Sequence, residues 1–166
     1  MYQLIPRHHV MTDFEPLYAL LESNQAQFVC GPFSRRKSWY WIDPEMGRGS
    51  LKRMGSGGVK QCDTGEFFRQ IGVNKQHHFP KLEICRIFLE RAKGKGYARQ
   101  SATAILDWVR RSLQPKTLVG YIDPQNLRSI TVTERLGALP DPEAARPDGE
   151  AKRDTTVYRH VIGLVR

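Results

Sequence analysis

Cysteine is scarce in this 166-residue chain: Cys30, Cys62 and Cys85, odd in number and far apart. None forms a C-x-x-C pair, so neither a disulfide framework nor a zinc knuckle is indicated, and the three read as reduced, buried thiols. Long apolar runs are missing as well. None approaches the roughly 18 residues a membrane span needs, and no apolar stretch follows Met1, so the expectation is a cytoplasmic protein with no membrane partner. Metal-ligand spacing is also lacking, because His8-His9 and His77-His78 are adjacent pairs without a third ligand; no metal is expected. His77 and His78, just ahead of Pro80, read as exposed turn residues.

Acid is outnumbered, with 17 Asp and Glu against 26 Lys and Arg and a formal charge of +9. That balance favours polyanionic partners such as nucleic acid, a phosphorylated cofactor or an anionic membrane, and its sign alone does not choose among them.

What is present fits one domain over residues 1–166, with 40% hydrophobic residues and enough length to bury a core. Thr12 and Glu15 have capping-box spacing, and Phe14, Leu17, Leu20 and Leu21 recur at helical intervals to about Ser23. Ser34 can cap a short helix through Trp39, Tyr40, Trp41 and Ile42 that ends before Pro44. "GRGSLKRMGSGG", residues 47–58, reads as a mobile loop. "GGVKQC" and "FFRQIGVN" flank "DTGE" as a hairpin.

Leu82 to Leu89 suits a strand, and Ala98 to Ser112 an amphipathic helix with Ala102, Ile105, Leu106 and Val109 on one face. Thr117 to Ile122 is a further strand, Asp123-Pro124 a turn, and Leu127 to Leu136 a helix stopped by Gly137. The polar, proline-rich stretch that follows gives way to a last strand in "TTVYRHVIGLV". The whole reads as one mixed α/β domain.

Between the Leu82 strand and the Ala98 helix lies "RAKGKGYA". A strand feeding glycines that open a helix can bind phosphate, because free N–H groups and the helix dipole attract anions and glycine lets them approach. A phosphate-loop NTPase would need Lys-Ser or Lys-Thr after the last glycine, where Tyr97 and Ala98 stand, and a dinucleotide fingerprint would need glycine at Arg99.

Arg91-x-x-Gly94-x-Gly96-Tyr97-Ala98 instead resembles the pyrophosphate loop of GNAT superfamily acetyltransferases. "DPQNLRSITVTERLGA", Asp123 to Ala138, is similar to that family's segment from the fifth strand through an asparagine into the last helix. "DTGEFFRQIGV" and "LEICRIFLERAKGKGYA" resemble the branch that acetylates ribosomal-protein N termini. The resemblance spans about residues 10–166 and is weakest over 34–58. It implies an α/β fold with a mixed, mostly antiparallel central sheet, splayed between its fourth and fifth strands and flanked by helices. Acetyl-CoA would wedge into that gap as co-substrate.

By the same resemblance, the segment Arg91, Lys93, Gly94, Lys95, Gly96, Tyr97 and Ala98 would hold the pyrophosphate. Asn126 would hydrogen-bond the pantetheine arm; its alternative role is to cap the helix that begins near Leu127.

Moving acetyl from a thioester to an amine needs a neutral amine, a stabilised oxyanion and a proton for the departing thiolate. The resemblance offers Glu83 as base, acting directly or through water, with an edge carboxylate or a partner of Arg86 as the alternative. The oxyanion donor would be a backbone N–H near Phe88 or Leu89. Where many family members carry a tyrosine acid this chain has Thr133, and Ser129 is the replacement, a helix-surface serine being the alternative. Tyr158 could line the acceptor pocket or simply pack, and Cys85 reads as an inert strand thiol.

The implied reaction is acetyl transfer from acetyl-CoA to a primary amine by direct attack, with a protein or peptide N terminus first among acceptors. A polyamine, amino acid or aminoglycoside is the alternative, and a basic nucleic-acid-binding module a third reading. The implied partners include a ribosome or ribosomal protein, and the implied state is monomer or homodimer.

Overall fold

The computed structural model describes residues 4–7, 9–29, 31–52, 55–61, 65, 67–75, 77–88 and 97–162. Among the described residues seven strands are formed: β1 Leu4–Arg7, β2 Gly55–Gln61, β3 Phe67–Asn74, β4 Glu83–Phe88, β5 Leu118–Ile122, β6 Leu139–Pro140 and β7 Thr156–His160. Four α-helices join them: α1 Phe14–Leu21, α2 Arg35–Lys52, α3 Tyr97–Trp108 and α4 Leu127–Arg135. The chain divides into two compact units, one of Met1–Gly72 with Arg86–Ser101, the other of Val73–Cys85 with Ala102–Arg166.

The first unit carries β1, β2, β3 as far as Gly72 and β4 from Arg86, in the order β1-β2-β3-β4, the remainder of β3 and β4 belonging to the second unit. The edge strand β1, which the sequence did not announce, pairs antiparallel with β2 from Leu4 opposite Gln61 to Arg7 opposite Gly58. Pro6 is tolerated there because an edge strand has one side without ladder bonds. Phe14, Leu17, Leu20 and Leu21 from α1 bury against Phe33, Ile42 and Phe67, with Tyr18 and Trp41 packed around them.

The start of α1 is built differently from the expected Thr12–Glu15 capping box. A 3-10 turn, Met11–Asp13, leads into it, and the Asp13 carboxylate accepts from the Val10 N–H at 3.0 Å. Asp13 also takes both arms of Arg7 at 2.6 and 2.7 Å and lies 3.3 Å from His9 Nδ1. Glu15 instead reaches across to Arg35 of α2.

Ser34 does cap α2: its Oγ accepts from the Lys37 N–H at 3.3 Å and its carbonyl from the Ser38 N–H at 2.9 Å. The helix does not stop before Pro44. It runs on to Lys52 and takes half of the stretch expected to be loop, while β2 takes Gly55 to Gly58. Trp41 and Ile42 anchor it in the core and α2 packs on β2, so tertiary contacts override the local break. In the expected "DTGE" turn only Gly65 is described, with φ +70°.

The second unit orders its strands β3-β4-β5-β7-β6. β5 and β7 pair antiparallel over five residues, Leu118 opposite His160 through Ile122 opposite Thr156. β4 and β5 are parallel and register at a single pair, Glu83 with Val119, next to a 3.0 Å bond from the Val119 N–H to the Leu82 carbonyl. The sheet is therefore mixed and mostly antiparallel, and within the second unit β4 meets β5 at Glu83 and Val119.

Alternation along β5 and β7 sorts their side chains to two faces. On one, Val119 and Val157 pack with Ala144 beside Tyr121; on the other, Ile122 and Tyr158 pack with Ala138 and Ile130 of α4. β6, which falls in the expected polar stretch, pairs with β7 through Leu139 and Pro140. Arg146 secures the loop after it by donating to the carbonyls of Thr155, Pro142 and Ala144. Among the described residues no helix is long and apolar enough to cross a membrane.

Candidate active site

The α4 helix starts where the sequence places it. Asn126 is its N-cap, and the side-chain oxygen accepts from the Ser129 N–H at 3.2 Å. The cap thus brings Asn126 and Ser129 together in one turn, with Ser129 half-buried. No acidic residue occupies that first turn, so the positive end of the helix dipole is unopposed. Thr133 is buried and turns its hydroxyl back to the Ser129 carbonyl at 2.7 Å, which ties it to the helix backbone rather than presenting it as an acid. Gly137 ends the helix with φ +79°, a conformation that favours glycine.

Glu83 opens β4 and is half-buried. Its register with Val119 sets it alongside the β5 face that carries Val119 and Tyr121, whereas α4 packs on the opposite face through Ile130. Glu83 thus stands near the start of β5, and Ser129 in the helix that follows the end of β5.

Of the two roles open to Tyr158, the structure shows packing. It is buried with Ile122 and Ala138, and its hydroxyl donates to Glu134 at 3.0 Å. Burial first, then the Glu134 carboxylate, raises its pKa.

Tyr121 and Phe79 were not singled out by the sequence. Their rings lie 5.2 Å apart, and His78 meets Phe79 edge-on at 4.6 Å. The Tyr121 hydroxyl is buried. Burial raises its pKa, as do the charges of Glu83 and Glu150, with the Lys81 backbone and Arg159 opposing. The available signal was alternation on β5, which a nearly unbroken apolar run conceals; Phe79, between a histidine and a proline, reads as turn.

Of the glycine stretch, Arg91, Lys93, Gly94, Lys95 and Gly96 lie outside the described residues, as does Leu89. Phe88 ends β4, and Tyr97 and Ala98 begin α3. That first turn of α3 contains no acid, and Arg99 within it is exposed, so this helix end suits a pyrophosphate. His77 and His78 are exposed, and no group of three metal-binding side chains occurs among the described residues.

The basic aromatic motif "RRKSWYW" is largely occupied within the first unit. Arg35 pairs with Glu15 and lies over the rings of Phe14 and Tyr18, Arg36 lies over Tyr40, and Lys37 sits 4.4 Å from the Phe33 ring centre. These cation–π contacts give the motif a folding role.

A mixed sheet whose β4 and β5 register at one pair, a capped helix after β5 and an acid-free helix start after β4 are features of an acyl-CoA-dependent transferase. An acetyltransferase (GNAT) domain matches residues 3–139. The chain belongs to the GNAT family of acetyl-CoA-dependent N-acetyltransferases.

An acetyltransferase from Agrobacterium tumefaciens strain C58 is 32% identical, with 95% of this chain and 90% of that one covered and a TM-score of 0.87. The ribosomal α-N-protein acetyltransferase RimL, in complex with coenzyme A, shares the fold at 17% identity, covering 97% of this chain and 95% of that one, with a TM-score of 0.75. An uncharacterized protein of Bacillus subtilis strain 168, YkkB, is 38% identical over 76 residues, 45% of this chain and 44% of that protein. The match thus spans less than half the length of this curated relative.

Proposed function

We propose that this chain transfers the acetyl group of acetyl-CoA to a primary amine, and that the amine is the N terminus of a protein or peptide. The observation that carries the reading is Glu83 at the single registered β4–β5 pair, with Asn126 and Ser129 in the first turn after β5. Preference for a protein N terminus is supported by the branch resemblance of the sequence and by the fold shared with a ribosomal α-N-protein acetyltransferase. The net charge of +9 suits approach to an anionic assembly such as a ribosome.

Acetyl-CoA supplies an activated thioester carbonyl. Glu83 removes a proton from the amine, directly or through water, so that its lone pair is free for attack. A backbone N–H near Phe88 or Leu89 would stabilise the developing oxyanion. As the new C–N bond forms and the thioester C–S bond breaks, Ser129 would pass a proton to the departing sulfur and regain one, by way of solvent, in place of that taken from the amine. Arg91, Lys93, Gly94, Lys95 and Gly96, with Tyr97 and Ala98, hold the pyrophosphate, and Asn126 combines its capping role with a hydrogen bond to the pantetheine arm.

Acetyl transfer from acetyl-CoA to a panel of N-terminal peptides, polyamines and aminoglycosides, followed by mass spectrometry, tests this. Acetylated peptides are the expected products. Products confined to polyamines or aminoglycosides would move the acceptor to the small-amine class, and no product would sink the reading. Glu83→Gln should lower kcat about 10²- to 10⁴-fold and remove the acid limb of the pH–rate profile; an unchanged rate takes Glu83 out of the mechanism.

A further inference from the structure

The first turns of α2 carry side chains on their solvent side that neither the core nor the proposed reaction employs. Ser38 and Ile42 are buried, and helical spacing sets Arg36, Tyr40 and Asp43 on the other side of the helix, all exposed. Tyr40 is 63% exposed and Trp39, next in the chain, 41%, although both rings would gain from burial. Arg36 lies over the Tyr40 ring at 5.7 Å, and the neighbouring Lys37 is exposed. Neither cation forms an ion pair among the described residues. The carboxylates of this region are placed elsewhere: Glu15 holds Arg35, Glu22 bonds Tyr18, and Asp43 stands one turn beyond Tyr40, where it bounds the basic stretch. No acid occupies the first turn of α2, so the positive end of the helix dipole adds to the field of the two cations.

We infer that this face is a docking surface for single-stranded RNA, with bases stacking on Tyr40 and Trp39 and phosphates meeting Arg36 and Lys37. Charge complementarity selects a polyanion, as it does for the chain as a whole at +9. The exposed rings then select among polyanions, because each unpaired nucleotide offers a flat π-face beside a phosphate. An acidic peptide would meet the cations and leave the rings uncovered. A duplex hides its bases, whereas RNA loops and ends present them unpaired. Arg36 over Tyr40 widens the platform, since bases stack on guanidinium planes as well as on rings. The surface is separate from the acetyl-transfer reading and does not rest on it.

The test follows the fluorescence anisotropy of a short labelled oligouridylate titrated with the full chain. Inorganic polyphosphate, duplex RNA and phosphatidylserine vesicles serve as competitors. Saturable binding is expected, with the competitors displacing the oligonucleotide only at much higher concentration than unlabelled oligouridylate. Tyr40→Ala should weaken binding about tenfold, and Tyr40→Phe should restore it, because the ring and not the hydroxyl stacks. Arg36→Gln should weaken binding and flatten the slope of log K against log salt by about 0.7. These side chains are exposed, so the variants should keep the parent's melting temperature. Should Tyr40→Ala fail to fold, Arg36→Gln and its salt slope carry the test.

Absence of binding overturns the inference, as does binding that Tyr40→Ala and Arg36→Gln leave unmoved. Displacement by polyphosphate, duplex or vesicles as readily as by oligouridylate overturns it too, assigning the attraction to charge or to a membrane. Peptide acetylation by the same variants should proceed at the parent's rate. RNA binding without acetylation of any acceptor keeps this surface and removes the reaction; acetylation without RNA binding does the reverse.

Discussion

Asp13 gathers more polar contacts than any other side chain described above, and its protonation state follows from them. Burial alone would push its carboxyl pKa up. Hydrogen bonds from His9, Arg7 and the Val10 N–H, with the Arg7 charge, outweigh burial and hold it well below the usual carboxylate range. Since the folded pKa lies below the unfolded one, the stabilisation is complete above about pH 5 and fades as pH falls through the carboxylate range. Urea midpoints measured against pH should decline on that acid side, and Asp13→Asn should flatten the decline. The same change should cost about 3 kcal/mol at neutral pH by breaking the Arg7–Asp13 ion pair, whose carboxylate is buried.

Gly58 guards this pair, because a Cβ there would lie 3.0 Å from the Phe67 ring, 3.1 Å from Asp13 and 3.2 Å from Arg7. Gly58→Ala is therefore expected to destabilise about as much as an overpacked core site, about 1–3 kcal/mol, read as a lowered melting temperature. On α4, Asn126→Ala should cost about 1 kcal/mol through the lost cap. It should also raise the acetyl-CoA KM if the side chain reaches the pantetheine arm; an unchanged KM leaves Asn126 as a cap alone.

Among the elements, α2 is the one whose local chemistry and final form disagree. A proline inside a helix removes a backbone donor and crowds the preceding turn. Pro44→Ala should therefore stabilise the chain, by up to about 3 kcal/mol, visible as a higher melting temperature; a loss of stability would mean that the helix needs its proline. The disagreement also explains what could be read beforehand. The helices α1, α3 and α4 and the strands β3, β4, β5 and β7 carried their own periodicity, caps or apolar runs, so their existence was legible from Phe14, Leu82, Ala102 and Asn126 onward. β1 and β6 were not, being short, proline-containing and formed only by pairing with β2 and β7.

The site was legible in the same uneven way. Asn126 and Ser129 announced themselves because capping is local, and Glu83 through its place on a strand. Tyr121 and Phe79 could not be read, since their meeting depends on β5 lying beside the turn before β4.

For the whole molecule, binding of acetyl-CoA is expected to raise stability by mass action, about 2.7 kcal/mol at a hundredfold excess over Kd. A thermal shift that rises with acetyl-CoA and persists at high salt would support a built site; one that vanishes with salt would mark mere attraction to a basic surface.

The placement of β7 between β5 and β6 also has a bearing on how the chain comes into being. During vectorial synthesis β4 and β5 emerge well before β7, and the outer edge of β5 has to wait, its amides and carbonyls exposed, until Thr156–His160 leaves the ribosome. A nascent chain stalled before Thr156 should thus be sticky and open to proteases across the second unit, and release of those five residues should seal it.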